Sequence, residues 1–385
     1  MSRRRRLVHL TTVDLSLELL LGPQLSAFVD AGYEVIGMSA PGPWVETIEA
    51  RGVRHVAVDN ATRAMAPTRD LKAIPELIGK FRRLRPDIVH THNPKPGLYG
   101  RLAGRAARVP VVVNTVHGLY ATPEDHWRKR AAIYGMERIA ATCSDAELIQ
   151  NPEDLPTLRR VLHEPASKLV LLGNGIDLAR FHPDDADRTA VRAELGIAAD
   201  AVVVLAVGRL VLEKGYAELF DAWHRVRAEH PDAVLVVAGP VEPDKEDAVP
   251  AATLDAAAAA GVHLLGMRDD VVRLYRAADR YVLASHREGF PRSAMEAAAS
   301  GLPVVATDIR GCRQVVEHDV TGLLVPVRSA EPLAAALADL IVDAGRRRSM
   351  GVAAVERAHA EFDQRRQIER TLSTYDRLLT AAGRV

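Results

Sequence analysis

Short apolar runs alternate with longer helical patterns along the whole chain of 385 residues. The first half contains LVHL, YEVIGMS, DIVHTH, VPVVVNT, IAATCS and KLVLLG, and the second contains AVVVLAVG, AVLVVAG, VHLLG, RYVLAS, PVVATD and GLLVP. Continuous runs of this kind are typical of strands buried on both faces of a parallel sheet. The pattern therefore predicts two doubly wound α/β domains, one in each half.

Turn-forming and charged residues interrupt the series of apolar runs in GNGIDLARFHPDDADRTAVRAELG, at residues 173–196. We accordingly predict one domain at 1–178, a second at 179–362 and a C-terminal helix at 363–385. That helix is expected to pack back toward the first domain, with apolar positions at Ile368, Leu372, Tyr375, Leu378 and Leu379. Ligands of doubly wound domains bind at the carboxyl ends of the strands, so the chemistry should lie in loops facing a central cleft.

The composition is that of a folded enzyme, with 48% hydrophobic and 26% charged residues. Cys143 and Cys312 are the only cysteines, too few and too far apart for a disulfide framework or a thiolate metal site, which favours a reducing cytoplasm. His9, Asp14 and Glu18 interrupt the N-terminal apolar run, so we interpret it as a strand and not as a signal peptide. No run approaches the roughly 20 apolar residues of a membrane span.

The net charge of zero conceals an asymmetry between the halves. Residues 1–180 carry 25 Lys+Arg against 19 Asp+Glu, whereas residues 181–385 carry 25 against 31. The basic half, with patches such as GKFRRLRPD and HWRKRAA, suits an anionic membrane surface or substrate. A solvated, arginine-rich surface explains the same balance equally well.

Two carboxylates flank a Gly-Phe-Pro turn in HREGFPRSAMEAAASG, residues 286–301. Glu288 follows a predicted strand, and Glu296 lies one turn into the helix that we expect to begin near Arg292 or Ser293. A helix N-terminus favours an anion, so these carboxylates could accept hydrogen bonds from hydroxyls on either side of it. Taken alone, the pair is also explained as glutamates that stabilise a helix dipole.

A second segment, AVGRLVLEKG at residues 206–215, places Gly208, Arg209 and Lys214 on one strand-to-helix loop. Lysine is scarce in this chain, with seven lysines against 43 arginines. Lys214 is therefore less readily explained as an ordinary solvent-exposed charge. Arginine can clamp a phosphate and lysine adds a point charge, so together they could neutralise a leaving diphosphate without a metal. The alternative is a solvated turn.

In this order, GRLVLEKG and HREGFPRSAMEAAASGLPVVATDIRGC closely resemble the donor-binding half of the family 4 retaining glycosyltransferases of the GT-B fold. The resemblance continues through LVLLGNGIDLARFHP, LGMRDDVVRLYRAADRYVLAS and VVEHDVTGLLVP, and through PDIVHTHNPKPGLYGRLAGRAARVPVVVNTVHG in the first half. It implies two Rossmann-like domains facing a central cleft, with acceptor binding in 1–178 and nucleotide-sugar binding in 179–362.

The resemblance implies a hexosyltransferase or N-acetylhexosaminyltransferase of polysaccharide biosynthesis. Its donor would be a nucleotide diphosphate sugar, with UDP favoured, and its acceptor a hydroxyl of a lipid-linked, polysaccharide or small-molecule glycan. The anomeric configuration would be retained by front-face attack. No cofactor, metal or nucleic acid is expected, and the location would be cytoplasmic, with peripheral contact on the inner face of the membrane.

The resemblance also implies a role for each site residue. Arg209 and Lys214, beside Gly208, would hold the donor diphosphate, while Glu288 would accept from the transferred sugar and Glu296 from the ribose. The other implied donor contacts are His117, which would face the donor sugar, Met267 near the base, and the backbone N–H groups of Gly289, Phe290 and Arg292. Arg209, Lys214, Glu288 and His117 are the residues implied for catalysis.

Three further motifs are not assigned a donor contact by the resemblance. For His90, His92 and Lys95 we favour a cleft-lining loop over a metal site, because no carboxylate accompanies them, and Lys95 could meet an acceptor phosphate. The only Asp-x-Asp motif, Asp185 to Asp187, is predicted to be a helix cap. After the first strand, TTVDLSLELLLG has its first glycine at Gly22, whereas many family members have a Gly-Gly loop there. Thr11, Thr12 and Asp14 are therefore candidates for the acceptor side.

Two rival functions remain open at this level. One is a catalytically silent protein that holds a nucleotide sugar, and the other is a sugar-nucleotide epimerase with the GT-B fold. A silent relative would be expected to have lost Arg209, Lys214 or Glu296, all of which this chain retains. An epimerase would need catalytic groups of its own, and the sequence shows no such constellation.

Overall fold

The computed structural model describes residues 3–62, 66–92, 94–121, 125–243 and 245–383. It divides the chain into two compact units, one of Met1–Gly173 with Arg365–Val385 and one of Asn174–Gln364. The sequence places the corresponding boundaries at residues 178 and 362. Among the described residues, no helix combines the length and apolarity needed to cross a bilayer.

The first unit is built on a seven-stranded sheet in which every pair of neighbouring strands is parallel, in the order β3-β2-β1-β4-β5-β6-β7. The strands are β1 (Arg6–Val13), β2 (Glu34–Ala40), β3 (Arg54–Ala57), β4 (Ile88–His92), β5 (Val111–Val116), β6 (Ala146–Ile149) and β7 (Leu169–Leu171). The helices are α1 (Gly22–Asp30), α2 (Val45–Ala50), α3 (Pro67–Leu84), α4 (Pro94–Ala106), α5 (Trp127–Ala141) and α6 (Leu155–Leu162). Buried apolar clusters lie on both faces of the sheet, as the continuous apolar runs predict.

The predicted strand at IAATCS is wrong. Ile139–Ala141 ends helix α5, and the strand is the next segment, AELI at Ala146–Ile149. The sequence misleads because Glu147, a charge in the middle of this strand, is fully buried. Its carboxylate accepts from Arg101 Nη1 at 2.8 Å and from Asn114 Nδ2 at 2.8 Å, so the buried charge is paired.

The second unit is built on a six-stranded parallel sheet in the order β10-β9-β8-β11-β12-β13. The strands are β8 (Val203–Val207), β9 (Val234–Ala238), β10 (His263–Leu264), β11 (Arg280–Leu283), β12 (Val304–Thr307) and β13 (Gly322–Val325), all within predicted apolar runs. The helices are α7 (Arg188–Glu194), α8 (Tyr216–Glu229), α9 (Ala251–Ala259), α10 (Val271–Ala277), α11 (Arg292–Ala299), α12 (Arg310–Arg313), α13 (Ala330–Val342) and α14 (Ala344–Glu361).

The last helix, α15 (Gln364–Ala381), has the predicted apolar spacing. Tyr375, Leu378 and Leu379 are buried in the core of the first unit, with Ile368 and Leu372 packed against it. The ring of Tyr375 packs against Phe28 of α1 at a centroid distance of 5.8 Å. One face of the first sheet is therefore covered in part by the end of the chain.

Candidate functional site

The strand order reverses between β8 and β11 in the second unit, which is where doubly wound sheets bind ligands. The two strands are neighbours, with Arg280 beside Val204 and Tyr281 beside Leu205. The segments that leave their carboxyl ends are residues 208–215 and 284–291. Both predicted donor-binding motifs therefore meet at the switch point of this sheet.

Gly215 allows the two loops to approach closely. Its φ is 71°, and a Cβ at this position would lie 2.0 Å from the carbonyl oxygen of Ala284. Any side chain would therefore be strained and would collide with the second loop. The residue before it, Lys214, is consequently held beside the carboxyl end of β11.

Lys214 and Glu288 contact each other directly. Lys214 Nζ lies 2.5 Å from Glu288 Oε1, and Ser285 Oγ donates to the same oxygen at 2.7 Å. Both charged side chains are mostly buried, with 21% and 12% exposed, so their interaction is only partly screened by water. The structure thus brings together two residues implied for catalysis, and it adds Ser285, to which the sequence analysis gives no role.

Two further side-chain contacts link the loop after β11 to residues 213–218. Arg287 Nε lies 2.8 Å from Glu213 Oε1, and His286 Nε2 lies 3.0 Å from Glu218 Oε1. The backbone N–H of His286 also donates to the carbonyl of Glu213. Glu213 is thus joined to His286 and Arg287 by both backbone and side-chain contacts. These contacts help to fix the positions of the neighbouring residues Lys214 and Glu288.

Arg209, the other predicted cation, contacts a third loop. Its Nη1 lies 2.8 Å from Glu242 Oε2, and Lys245 Nζ lies 3.3 Å from the same oxygen. Glu242 has no role in the sequence analysis, although its place two residues beyond Pro240, after strand β9, could have singled it out. Beside Arg209, the carbonyl of Gly208 accepts from Tyr216 Oη at 2.9 Å.

Glu296 lies in the first turns of α11, as predicted, and is partly buried. Tyr275 Oη donates to its Oε2 at 3.1 Å. Burial raises the pKa of Glu296, while the positive charges of Arg292 and Arg180 oppose that shift. The carboxylate is thus a desolvated acceptor with nearby cations.

The other predicted donor contacts lie around these elements. The carbonyl of Phe290 accepts from Asn174 Nδ2 at 3.1 Å, which ties the turn after β11 to the NGID segment. Arg292 begins α11, and Gly289 lies in the preceding turn. Met267 follows Gly266, whose φ is 67°, and its side chain is 52% exposed.

Gly311 of α12 also contributes to the position of Glu288. A Cβ at Gly311 would lie 2.6 Å from the carbonyl oxygen and 2.7 Å from the Cβ of Glu288. Only glycine lets α12 pack this close. The segment DIRGC carries the resemblance, but its role in supporting Glu288 is visible only in the structure.

In the first unit, His90 and His92 do not line a loop as predicted. Both lie in β4 and are almost fully buried, with their rings stacked at a centroid distance of 4.2 Å. Parallel pairing places His9 of β1 directly beside His90, on the switch point of this sheet. His117 follows β5, and its Nε2 lies 3.1 Å from His92 Nδ1. The four histidines therefore form one cluster.

Nitrogens of His9, His90 and His92 lie within 4.8 Å of one another, close enough to consider a metal ion. However, His90 bonds Tyr375 Oη and Thr115 Oγ1, and His9 Nδ1 bonds His92 Nε2. A shared ion would have to break these bonds, and the group has no carboxylate to balance its charge. The geometry therefore favours a hydrogen-bonded cluster.

Other residues predicted for the acceptor side are already engaged. Lys95 Nζ lies 2.6 Å from Asp70 Oδ1. Asp14 is buried and accepts from the backbone N–H groups of Leu15 and Trp44, both at 2.8 Å. Thr11 is fully buried and donates to the carbonyl of Val13, and Thr12 is also buried.

Asp187 occupies the N-cap position of α7, as predicted for the Asp185–Asp187 motif. Its side chain, however, makes no capping hydrogen bond. It lies instead 3.3 Å from Arg273 Nε and 2.8 Å from Arg276 Nη1. Two nearby guanidinium groups outcompete the backbone for this carboxylate.

Comparison with known proteins gives matches for both halves. Residues 24–180 match the profile described as Glycosyltransferase Family 4, and residues 187–357 match Glycosyl transferases group 1. The chain is 29% identical over 298 residues to an Escherichia coli UDP-Gal:alpha-D-GlcNAc-diphosphoundecaprenol alpha-1,3-galactosyltransferase, covering 77% of this chain and 76% of that protein. It is 31% identical over 312 residues to a Saccharomonospora viridis D-inositol 3-phosphate glycosyltransferase, covering 77% and 71%.

Among solved structures, the chain resembles Anabaena HepE in complex with UDP. The TM-score is 0.79 at 20% identity, and the match covers 97% of this chain and 100% of that one. This likeness confirms the predicted GT-B fold class, with two Rossmann-like units on parallel sheets of seven and six strands.

Proposed function

The chain belongs to the group 1 glycosyltransferases of family 4, and from this premise we propose that it is a retaining, metal-independent transferase that uses a UDP-sugar. The acceptor is a hydroxyl of a lipid-linked or polysaccharide glycan. The observation that carries the proposal is the convergence of Lys214 and Glu288 at the switch point of the second sheet. That edge of a doubly wound domain is where a nucleotide binds.

Arg209 and Lys214 supply the positive charge that a departing diphosphate requires. Each is paired with a carboxylate of the protein, Glu242 and Glu288 respectively. A diphosphate carries more negative charge than one carboxylate, so it competes effectively for both cations. Neutralisation by fixed cations in a partly buried site stabilises the leaving group without a bound metal.

Glu288 and Glu296 divide the recognition of hydroxyl groups between them. Glu288, freed from Lys214 when the diphosphate takes that cation, accepts from hydroxyls of the transferred sugar. Glu296, fixed by Tyr275 at the start of α11, accepts from the ribose. No side chain of the site is assigned as a nucleophile, and the leaving phosphate takes the acceptor's proton in a front-face displacement. The sugar therefore keeps its anomeric configuration.

The choice of uridine and of a lipid-linked acceptor is supported by similar proteins. The name of the E. coli relative specifies a UDP-Gal donor and a diphosphoundecaprenol acceptor, and the HepE structure contains UDP. An acceptor of this kind is reached at a membrane surface. We therefore extend the proposal to peripheral contact with an anionic membrane.

Helix α5 presents a suitable surface for that contact. Trp127 and Ile139 are each 61% exposed, and Met136 is 45% exposed. Arg128 and Arg138 are exposed on the same helix, while Glu137 is turned inward to Arg101 at 2.7 Å. An exposed helix face that combines large apolar side chains with cations suits an anionic lipid interface.

The test is incubation of the full chain with UDP-galactose, UDP-glucose and UDP-N-acetylglucosamine, with and without a polyprenyl-diphosphate-linked sugar. We expect acceptor-dependent release of UDP that persists in EDTA, and an α-linked product from an α-linked donor. UDP binding without turnover would instead identify a silent binding protein. Conversion of the donor sugar without acceptor would identify an epimerase, and an inverted product would refute retention.

A further inference from the structure

A row of hydrogen-bonded rings crosses the first sheet from β1 to β6. His9 Nδ1 lies 2.9 Å from His92 Nε2, His92 Nδ1 lies 3.1 Å from His117 Nε2, and His117 Nδ1 lies 3.0 Å from Gln150 Oε1. Adjacent rings are 5.2 and 5.3 Å apart and inclined by only 17° and 38°. They therefore meet edge to edge, as a continuous chain of imidazoles requires.

The end of this row determines where its protons lie. The amide oxygen of Gln150 can only accept, so His117 Nδ1 carries a proton. In a neutral ring, His117 Nε2 is then an acceptor and receives the proton of His92 Nδ1. By the same rule, His92 Nε2 receives the proton of His9 Nδ1. Each ring carries one proton, and His9 Nε2 is left as a bare nitrogen.

The surroundings keep the row neutral. His9 and His92 are almost fully buried, and His9 Nε2 has no hydrogen-bond partner among the described residues. Burial lowers the pKa of His9 to about 3 and places the pKa of His92 well below its ordinary value. A proton could occupy His117 Nε2 only if both buried rings reversed, which would move a proton onto His9 Nε2.

The neighbouring groups do not offset the free-energy cost of moving a proton onto His9 Nε2. The ring of His90 stacks on that of His92, and Tyr375 of α15 holds His90 Nδ1. Phe28 of α1 stacks on the ring of His9 at a centroid distance of 5.3 Å. The charges that act on His92 are those of the other three histidines, and they oppose its protonation.

Nearby carboxylates are engaged elsewhere. Glu147 of β6 is paired with Arg101 at 2.8 Å. Asp154, which follows β6, accepts from the backbone N–H of Leu119 at 3.0 Å. Among the described residues, neither His9 nor His92 bonds to a carboxylate that would stabilise an imidazolium there.

We propose that His9 and His92 are positioning residues that hold His117 as a neutral imidazole with its proton on Nδ1. This inference rests on the proposed function and on the role that the family resemblance implies for His117, which is to face the donor sugar. Positive charge develops on that sugar as its bond to the diphosphate breaks, and an imidazolium beside it would oppose the reaction. A neutral ring with a fixed orientation avoids this penalty.

The test uses the full chain labelled with ¹⁵N-histidine and the variants His92→Phe, Gln150→Glu and Tyr375→Phe. At pH 7, ring ¹⁵N shifts should show His117 protonated on Nδ1 alone in the unmodified protein. His92→Phe frees Nε2, so the ring should titrate near its ordinary pKa of about 6.5. In that variant kcat should fall about tenfold per pH unit below this value, with the donor KM unchanged.

Gln150→Glu provides a second route if His92→Phe does not fold, because a carboxylate at this end favours the imidazolium and should create the same acid limb. Tyr375→Phe is the matched control, since it alters His90 but no bond of the row, and it should leave the pH profile flat.

A His117 ring protonated on Nε2 at pH 7, or the same pH profile in His92→Phe and Gln150→Glu as in the unmodified protein, would overturn the proposal. If the protein has no transfer activity, the proposed function is refuted, but the ¹⁵N shifts still test the protonation state of His117 independently.

Discussion

Lys214 and Glu288 hold each other across two loops, with 2.5 Å between Nζ and Oε1. They come from motifs 74 residues apart in the sequence, and Gly215 allows the approach by leaving no Cβ against Ala284. The proposed reaction requires this pair to separate, because the donor diphosphate takes the lysine and the sugar takes the glutamate. The ion pair therefore prepares both side chains before the donor binds.

We expect Lys214→Ala to lower kcat by roughly a hundredfold or more, since one preorganised charge in such a site contributes about 3 kcal/mol to transition-state stabilisation. The measurement is steady-state UDP release. Lys72→Ala, an exposed lysine of α3, is the control and should retain activity. A loss below about threefold in Lys214→Ala would remove this lysine from the mechanism.

Glu288 and Glu296 should respond differently to removal. Glu296→Ala should weaken UDP binding measured by calorimetry for any donor, because the ribose is common to all of them. Glu288→Ala should chiefly lower kcat and reduce discrimination among sugars, with UDP affinity nearly unchanged. Equal losses of UDP affinity in the two variants would contradict the division of labour.

The raised pKa of Glu296 predicts a pH-dependent gain in stability from Glu296→Gln. A carboxyl whose pKa is higher in the folded state than in the unfolded state destabilises the fold above that pKa, and the penalty disappears as the pH falls. The increase in Tm should therefore be larger at pH 8 than at pH 4. Glu356→Gln, at an exposed position of α14, should show no such difference. A gain that is greater at pH 4 would have the wrong sign.

Gly215→Ala should disturb both stability and activity. The new Cβ would collide with Ala284 in addition to occupying a left-handed conformation. Gly196→Ala is a matched control, because its φ is 66° but no atom lies within 4 Å of the added Cβ, so it should incur only the conformational cost of about 1–2 kcal/mol. Thermal unfolding and kcat should both fall further in Gly215→Ala, and equal effects would show that the close approach is unimportant.

Much of the fold could be predicted from the sequence because buried parallel strands have uninterrupted apolar runs. Strand β6 was not predicted because Glu147, which is buried against Arg101, resembles a surface charge until its partner is known. Strand β3 was not predicted because it is a short edge strand whose residues are only partly buried. Both failures have one cause, since tertiary partners decide the burial of these residues.

The two motifs proposed to bind the donor could be singled out from sequence because spacing and residue type are local properties. Their pairing could not, because Lys214–Glu288 and Arg209–Glu242 join residues that only the fold brings together. The same limit applies to His90 and His92, which appear as an isolated motif in sequence. Their neighbours His9 and Tyr375 lie far away along the chain.

The exposed face of α5 predicts binding to anionic vesicles. Replacing Trp127 and Ile139 together by serine should remove co-sedimentation with phosphatidylglycerol-containing vesicles, because these are the most exposed large apolar side chains of the helix. Leu71→Ser is the matched control, since Leu71 is 70% exposed on a different helix and should not affect binding. UDP release with a water-soluble acceptor should be unchanged in the double variant. Equal binding to vesicles of phosphatidylcholine alone would show that charge is not involved, and dimerisation lost in the double variant would identify α5 as an interface between copies of the chain.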